Sequence, residues 1–255
     1  MSRARIAGIE IDRVTRRDAL ERIFALARTR DRHIVVTPNL DHMVRLRSDE
    51  NFRSVYASAS LVLADGMPLV WVSRLGNTPL PERVAGADLI EPVLAHAERE
   101  GRSVFFLGPM PETLRLALAR CAVDFPRLRI AGSHAPPVNF EQDVRQDLAC
   151  VSAIREARPD IIFVALGALK QELWIGRHRN ELDFGVALCI GAGIDFFAGV
   201  RRRCPKFIAR IGAEWIWRML GEPKRLVPRY AQCLLFVPEL VWEQVRDAWR
   251  TKANS

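Results

Sequence analysis

The sequence predicts an α/β fold, with a Rossmann-like, doubly wound and mostly parallel sheet followed by a C-terminal helical appendage. Apolar runs of strand length alternate with segments of helical periodicity, which is the spacing of βαβ units. The runs are apolar throughout, so both faces of the sheet must be covered by helices. The 255 residues are 49% hydrophobic and 27% charged, a composition that is typical of a globular protein and excludes a disordered or collagen-like chain.

Six apolar runs predict the strands, which we place at residues 34–36, 61–64, 104–107, 128–130, 161–166 and 186–190. The segments between them repeat apolar residues with a helical period of about 3.6. Thr15 is a suitable N-cap for the first helix, which places on one face Ala19, Ile23, Leu26 and Ala27. A later helix opens at Pro111 and carries the apolar residues Leu114, Leu116, Leu118 and Cys121.

The last fifth of the chain has a different composition. Beyond Gly199 we predict about three helices, separated by prolines at Pro205, Pro223, Pro228 and Pro238. Twelve Lys and Arg residues face five acidic ones from residue 201 onward, so this segment holds almost all of the formal net charge of +8. We therefore divide the chain into an α/β domain, residues 1–200, and a basic, Trp-rich helical appendage, residues 201–255.

The appendage has the composition of a membrane-binding surface. It contains four of the six tryptophans, Trp215, Trp217, Trp242 and Trp249, interleaved with basic and aliphatic residues. Such a segment favours an amphipathic surface that binds anionic membranes. Two alternatives stay open: a solvated basic face over tryptophans of the core, and a basic helix that binds nucleic acid or an acidic partner.

The cysteines and the N-terminus predict a cytoplasmic protein. The five cysteines are odd in number and widely spaced, without the pairs typical of zinc sites or a disulfide framework. Charged residues interrupt the N-terminal segment before it reaches the apolar run of a signal peptide. No stretch of about twenty apolar residues exists that could span a bilayer. We therefore expect peripheral membrane attachment.

Small and polar residues follow every predicted strand. In open parallel sheets ligands bind beyond the carboxyl ends of the strands. Small residues there allow a ligand to approach the backbone, and the helices that follow offer amide donors to a phosphate, so a nucleotide is the simplest ligand. The alternative is that these glycines only form tight turns. The strand ends are Thr37-Pro38-Asn39, Asp65-Gly66, Gly108-Pro109, Gly132-Ser133, Gly167-Ala168 and Gly191-Ala192-Gly193.

Several common nucleotide and metal motifs are absent from the sequence. Phe196 stands where a dinucleotide-binding loop needs its third glycine, and there is no P-loop. No Asp-x-Asp pair is available for a divalent metal, and the histidines have no ligand spacing. We therefore expect neither metal nor cofactor, so the positive charge that neutralises a phosphate must come from side chains.

Asp65 is the best single candidate for chemistry. It directly follows a predicted strand, so its carboxylate stands at the ligand edge of the sheet and can accept a proton from a hydroxyl nucleophile. The alternative is that Asp65 caps the helix that begins near Met67. The residue types alone do not separate these two roles.

Longer motifs resemble the WecG/TagA/CpsF family of bacterial glycosyltransferases over nearly the whole chain. They occur in the order Thr37-Pro-Asn39, Ala64-Asp-Gly-Met-Pro-Leu69, Glu82-Arg-Val-Ala-Gly-Ala-Asp88, Gly167-Ala-Leu-Lys-Gln-Glu172, Gly191-Ala-Gly-Ile-Asp-Phe-Phe-Ala-Gly199 and Glu222-Pro-Lys-Arg225. The resemblance implies an inverting, metal-independent transferase that moves a sugar, often N-acetylmannosamine or its uronic acid, from a UDP donor. The implied acceptor is a saccharide linked to undecaprenyl diphosphate, used for surface polysaccharide or teichoic-acid-type polymers.

The resemblance also implies roles for individual residues. Asp65 matches the general base, which shifts it away from a mere cap. The substrate-binding positions of the cleft match Thr37, Asn39, Arg83, Gln171 and Asp195. The basic appendage, which is thought to close over the site and neutralise the leaving diphosphate, matches at Arg218, Arg225 and Arg229.

Two other functions compete with this one. The first is a UDP-glucosyltransferase of the same fold that extends a lipid-linked oligosaccharide. The second is a non-catalytic basic module that binds nucleic acid or a membrane. A nucleic-acid partner is disfavoured because the body of the protein is nearly neutral. We expect the enzyme on the inner face of the bacterial plasma membrane; binding to a second copy of itself is compatible with the sequence, which does not decide it.

Overall fold

The computed structural model describes residues 2–202, 204, 217, 219 and 223–253, the last range partly by its backbone alone. The chain begins with a hairpin of β1 (Arg3–Ile6) and β2 (Ile9–Asp12). Ala7 and Gly8 both have positive φ, 47° and 75°, as a two-residue hairpin turn requires. The sequence analysis did not predict this hairpin.

The other six strands form one parallel sheet and confirm the predicted fold class. They are β3 (His33–Val36), β4 (Leu61–Val62), β5 (Ser103–Leu107), β6 (Arg129–His134), β7 (Ile161–Val164) and β8 (Val186–Cys189). Their order across the sheet is β4-β3-β8-β7-β5-β6. Each overlaps one of the six predicted positions. Five of them are buried strands, which leave a continuous apolar run in the sequence. The edge strand β6 is exposed or half-buried along its whole length.

Ten helices of the described residues connect and extend the sheet. They are α1 (Arg16–Thr29), α2 (Leu40–Leu46), α3 (Glu50–Ser58), α4 (Met67–Ser73), α5 (Gly86–Glu100), α6 (Pro111–Asp124), α7 (Val144–Ala157), α8 (Lys170–His178), α9 (Gly193–Phe197) and α10 (Pro223–Ala253). Thr15 caps α1 as predicted: its hydroxyl accepts from Asp18 N, and the Asp18 carboxylate accepts from Thr15 N at 3.0 Å.

The helices cover both faces of the sheet, so the fold has three layers. Side chains of the strands alternate between two apolar clusters. On one face Val35, Val104 and Phe106 pack with residues of α1, α5, α6 and α9. On the other, Ile34 and Phe105 pack with the hairpin and with residues of α2, α3, α4, α7, α8 and α10.

Helix α10 corrects the prediction that Pro228 and Pro238 end helices. One helix passes through both prolines. Both are exposed, so the carbonyl groups that lose a helical hydrogen bond lie where water can reach them. The opposite face of α10 holds the helix in place, because Phe236 and Leu240 belong to the core cluster beside α2 and α4. No helix in the described part of the chain is long and apolar enough to cross a membrane.

Candidate active site

A cleft of about 1390 Å³ opens along the carboxyl edge of the sheet. It includes the point between β5 and β7 where the chain reverses its direction of winding, because β5 leads outward to β6 and β7 leads back to β8. Ligands of doubly wound sheets bind at such a switch point. Residues that follow all six strands line the cleft, among them Asn39, Asp65, Gly108, Gly167 and Gly191.

One of the predicted strand ends, Gly132-Ser133, is wrong. Gly132 and Ser133 belong to β6, which continues to His134. A Cβ atom at Gly132 would lie 2.9 Å from the Phe105 ring, so packing inside the sheet explains this glycine. The residues that follow β6 and line the cleft are Pro136, Pro137 and Val138.

Gly86 and Gly193 are required by close packing beside the cleft. A Cβ atom at Gly86 would lie 3.1 Å from Ile190 Cα, and one at Gly193 would lie 3.2 Å from Ala87 Cα. The N-terminus of α5 therefore approaches the end of β8 and the start of α9 at backbone distance. This contact brings the segment that contains Arg83 to the same edge as Asp195.

Asp65 lines the cleft in the loop between α4 and the edge strand β4, which ends at Val62. Its backbone N–H donates to Pro38 O at 2.8 Å, which joins the loops after β3 and β4. Helix α4 begins at Met67 with Gly66 at the N-cap position, so Asp65 lies one residue before the cap. This geometry disfavours the capping role and leaves the carboxylate at the ligand edge.

Thr37 and Asn39 follow β3 and line the cleft near Asp65. The Thr37 hydroxyl donates to Cys189 O at 3.0 Å, which ties β3 to β8. Asn39 is the N-cap of α2, where its Oδ1 accepts from Asp41 N at 3.0 Å and from His42 N at 3.2 Å. The amide oxygen is therefore committed to the helix, and the amide nitrogen is the group that Asn39 offers to a ligand.

Gln171 lies in the first turn of α8 and is almost completely buried at the floor of the cleft. Its Oε1 accepts from Gly191 N at 2.9 Å, and its Nε2 donates to Glu172 Oε1 at 2.7 Å. Leu169, the N-cap residue of α8 and two residues before Gln171, has φ 68° and ψ −51°. A non-glycine residue rarely adopts this conformation, and such strain is concentrated at functional sites.

Arg83 and Asp195 both line the cleft as parts of ion pairs. Arg83 Nη2 lies 2.7 Å from Asp88 Oδ2, and Asp195 Oδ2 lies 3.3 Å from Arg201 Nε. The cleft therefore presents two partly exposed Arg–Asp pairs rather than isolated charges.

The structure describes the side chain of one of the three predicted appendage arginines. Arg229 of α10 lines the cleft, and its Nη2 lies 2.7 Å from the Oδ2 of Asp41, a buried residue of α2. Arg218 lies outside the described residues, and only the backbone of Arg225 is described.

The cleft contains further cations that the sequence analysis did not select. They are Arg16, Arg45, Lys170 and Arg201. Arg45 Nε lies 3.1 Å from Asp41 Oδ2, so one carboxylate holds Arg45 and Arg229. A sequence signal existed for Lys170, which precedes Gln171 inside a motif quoted above. Arg45 follows Asn39 by six residues, and no comparable motif marks it.

Metal ligands are not gathered anywhere in the described part of the chain: no group of three or more His, Cys, Asp or Glu side chains is placed to hold an ion.

Comparison with known proteins shows the family of the chain. Residues 4–252 match the glycosyl transferase WecG/TagA/CpsF family. Similar proteins include a protein of Bacillus spizizenii, 32% identical over 79% of this chain and 78% of its own length. A Bacillus subtilis protein is 29% identical over 79% of this chain and 78% of its own length, and a Staphylococcus aureus protein 29% identical over 87% and 85%.

All three relatives are named N-acetylglucosaminyldiphosphoundecaprenol N-acetyl-beta-D-mannosaminyltransferase. Five of the six motifs that suggested the resemblance contribute residues to one cleft at the carboxyl edge of the sheet, and the match covers nearly the whole sequence. The chain therefore belongs to the WecG/TagA/CpsF family and is a glycosyltransferase.

Proposed function

We propose that the protein transfers N-acetylmannosamine from a UDP donor to an N-acetylglucosaminyl group on undecaprenyl diphosphate. The names of the relatives supply this donor sugar and acceptor. The observation that carries the proposal is the cleft itself, in which Asp65 shares one cavity with the amides of Asn39 and Gln171 and with basic side chains. A sugar diphosphate needs these groups: hydrogen-bond donors for its oxygens, positive charge for its diphosphate and a base for the acceptor hydroxyl.

We propose that Asp65 is the general base of a single displacement. The carboxylate removes the proton from the acceptor hydroxyl as that oxygen attacks C1 of the donor sugar. The C1–O bond to the diphosphate breaks with its electron pair, and UDP leaves from the opposite face. One displacement inverts the configuration at C1.

The substrate-binding roles rest on the groups that the cleft leaves accessible. Asn39 and Gln171 offer N–H donors, which suit hydroxyl, carbonyl or phosphate oxygens. The Asp195 carboxylate can accept a hydrogen bond from the imide N–H of the uracil ring of UDP. The Arg83 guanidinium suits a phosphate oxygen. Thr37, whose hydroxyl holds Cys189 O, shapes the wall beside the sugar.

We propose that arginines and lysine neutralise the leaving diphosphate in place of a metal. Six described basic side chains line the cleft: Arg16, Arg45, Arg83, Lys170, Arg201 and Arg229. Guanidinium groups bind phosphate oxygens through two parallel hydrogen bonds. Arg218 and Arg225 of the appendage are assigned the same role.

Excess EDTA is therefore expected to leave the initial rate within about twofold of its untreated value, because fixed cations supply the charge stabilisation that a metal gives other transferases. The measurement is UDP release after treatment with EDTA and gel filtration. A loss of activity that Mg²⁺ or Mn²⁺ restores would show that the cations are insufficient.

We further propose that α10 attaches the enzyme to an anionic membrane. One face of the helix is buried in the protein, whereas an adjoining face exposes Leu234, Leu235, Trp242 and Trp249. Leu235, Trp242 and Trp249 repeat every seven residues, so they lie on one stripe of the helix. Trp242 and Trp249 are 66% and 75% exposed, which contradicts the alternative that they belong to the core.

A triple variant of this stripe, Leu235→Gln with Trp242→Gln and Trp249→Gln, is expected to bind vesicles containing anionic lipid at least about tenfold more weakly, because it loses apolar area that membrane insertion buries. Vesicle co-sedimentation measures this. The matched control changes three exposed residues of α6 and α7, Val123, Val144 and Leu148, to Gln. Equal binding by both triple variants would contradict the proposed surface.

The function is tested by offering the purified protein a panel of UDP-sugars with a short-chain lipid-diphosphate N-acetylglucosamine acceptor. We expect UDP-N-acetylmannosamine to be consumed fastest. Consumption of UDP-glucose alone, with a longer oligosaccharide acceptor, would instead support the glucosyltransferase. Failure of every donor together with nucleic-acid binding would support the non-catalytic module.

A further inference from the structure

A buried pair of titratable side chains lies beside the cleft: His42 lines it, and Glu172 is the neighbour of Gln171, which also lines it. His42 of α2 is 4% exposed, and Glu172 of α8 is 0% exposed. His42 Nε2 lies 3.6 Å from Glu172 Oε1. Burying a carboxylate this completely is costly unless its surroundings compensate, and glutamates are almost never fully buried unless they are paired. The roles assigned above do not use either residue.

His42 acts on Asn39. Its Nδ1 lies 2.8 Å from Asn39 Oδ1, the oxygen that already accepts from Asp41 N and His42 N. Asn39 N also donates to His42 Nδ1, at 3.4 Å, which completes a capping box. Two backbone N–H groups therefore fix Oδ1, and the imidazole of His42 fixes the backbone of Asn39, so the Asn39 amide is held in a single orientation. Its Nδ2 is left to face the cleft.

Glu172 acts on Gln171 in the same way. A carboxylate only accepts hydrogen bonds, so the 2.7 Å contact with Glu172 Oε1 must be made by the Gln171 Nε2 group. Gln171 Oε1 is thereby directed to Gly191 N. One N–H of Nε2 remains for a ligand, and the loops after β7 and β8 become joined.

Aromatic packing fixes the pair from behind. The Phe52 ring stacks on His42 with centroids 5.9 Å apart, and the Tyr56 ring meets Phe52 edge-on at 4.9 Å. Burial raises the pKa of the Tyr56 phenol well above its ordinary value, and the negative charge of Glu172 adds to this effect. Tyr56 therefore stays neutral beside the pair.

We infer that His42 and Glu172 are positioning residues, which together hold the amides of Asn39 and Gln171 so that both present N–H donors to oxygens of the substrate. The pair links the loops that follow β3, β7 and β8 into one rigid floor. The substrate-binding part of this inference rests on the proposed function. The orientation of Gln171 against Gly191 does not.

The test uses the full chain and compares Glu172→Gln, Gln171→Ala, their double variant and the control His178→Gln. His178 is also buried, lies on the same helix and pairs with a carboxylate, Asp147 Oδ2 at 3.1 Å, but does not line the cleft. Two quantities are measured: amide hydrogen exchange of Gly191 by NMR, and kcat/KM for the UDP-sugar donor. Thermal unfolding confirms that each variant is folded.

Glu172→Gln keeps the shape of the side chain but replaces one accepting oxygen with an NH2 donor, so residue 172 no longer dictates which end of the Gln171 amide faces it. We expect Gly191 exchange to accelerate by about fivefold or more in Glu172→Gln and in Gln171→Ala, and to be unchanged in His178→Gln. Alone, Glu172→Gln should lower kcat/KM by about tenfold, but by less than about twofold in the Gln171→Ala background, because its effect passes through Gln171.

Unchanged Gly191 exchange in Glu172→Gln would overturn the inference, and so would losses of kcat/KM that multiply in the double variant. Failure of the wild-type protein to use any UDP-sugar would refute the proposed function instead. In that case the exchange measurement still decides whether Glu172 positions Gln171.

Discussion

Asp65→Asn is expected to lower kcat by about a hundredfold or more, which corresponds to about 2.7 kcal/mol in the activation barrier. The amide keeps the shape of the carboxylate but cannot take the proton of the acceptor hydroxyl. Because a general base contributes to the transition state rather than to binding of the nucleotide, affinity for UDP should change by less than about threefold. Steady-state kinetics and calorimetric titration with UDP measure the two quantities.

The control for this variant is Asp31→Asn. Asp31 is an exposed carboxylate just before β3, at the end of that strand opposite to Asn39 and the cleft. It removes the same charge without touching the cleft and should leave kcat unchanged. Near-normal turnover of Asp65→Asn would mean that the carboxylate has a structural role beside α4.

The double variant Arg218→Ala, Arg225→Ala is expected to lower kcat/KM by about a hundredfold with a water-soluble acceptor that needs no membrane. Each guanidinium removed from a diphosphate site costs the charge-assisted hydrogen bonds that stabilise the departing UDP. Binding to vesicles should persist, because the exposed stripe of α10 is intact. Activity and vesicle co-sedimentation are measured on the same preparation.

The matched control removes two charges from the far end of α10, Arg246→Ala with Lys252→Ala. It should leave activity on the soluble acceptor unchanged. If Arg218→Ala, Arg225→Ala also retains full activity, the appendage is an anchor only. Loss of vesicle binding with retention of activity would lead to the same conclusion.

Five of the six parallel strands were predictable because they are buried on both faces. Such strands leave uninterrupted apolar runs, and the residues after them fall at one edge. The β1–β2 hairpin was missed although Ile9 and Ile11 alternate with charged residues. Four-residue strands with arginine and glutamate on one side carry little apolar signal, and pairing with each other decides their structure.

Helix α10 shows why prolines alone predict boundaries poorly. Pro228 and Pro238 each remove a hydrogen bond, but Leu226, Phe236 and Leu240 bury one continuous face. Burial of that face outweighs the local cost, which falls on the exposed side. The sequence contains both the prolines and the apolar face, but it does not show which of the two decides where the helix ends.

The residues of the cleft were predictable where they lie in sequence motifs. They were not predictable where contacts join segments that are distant in the chain. Asp65 was predicted as a site residue from its place after a predicted strand, and Gln171 was predicted from its motif. The contact between His42 and Glu172 joins two helices that are far apart in the chain. Glu172 lies in a quoted motif, but only its burial distinguishes it from a solvated carboxylate. Arg45 likewise is identified as a cleft residue only by the structure, in which it shares the Asp41 carboxylate with Arg229.

The central claim is that one displacement in this cleft, with Asp65 as base, transfers the sugar. The configuration of the product at C1 tests it most directly. With a UDP-sugar whose diphosphate is in the α configuration, NMR of the purified product should show only the β linkage to N-acetylglucosamine. An α-linked product would require two displacements or frontside attack and would contradict the account.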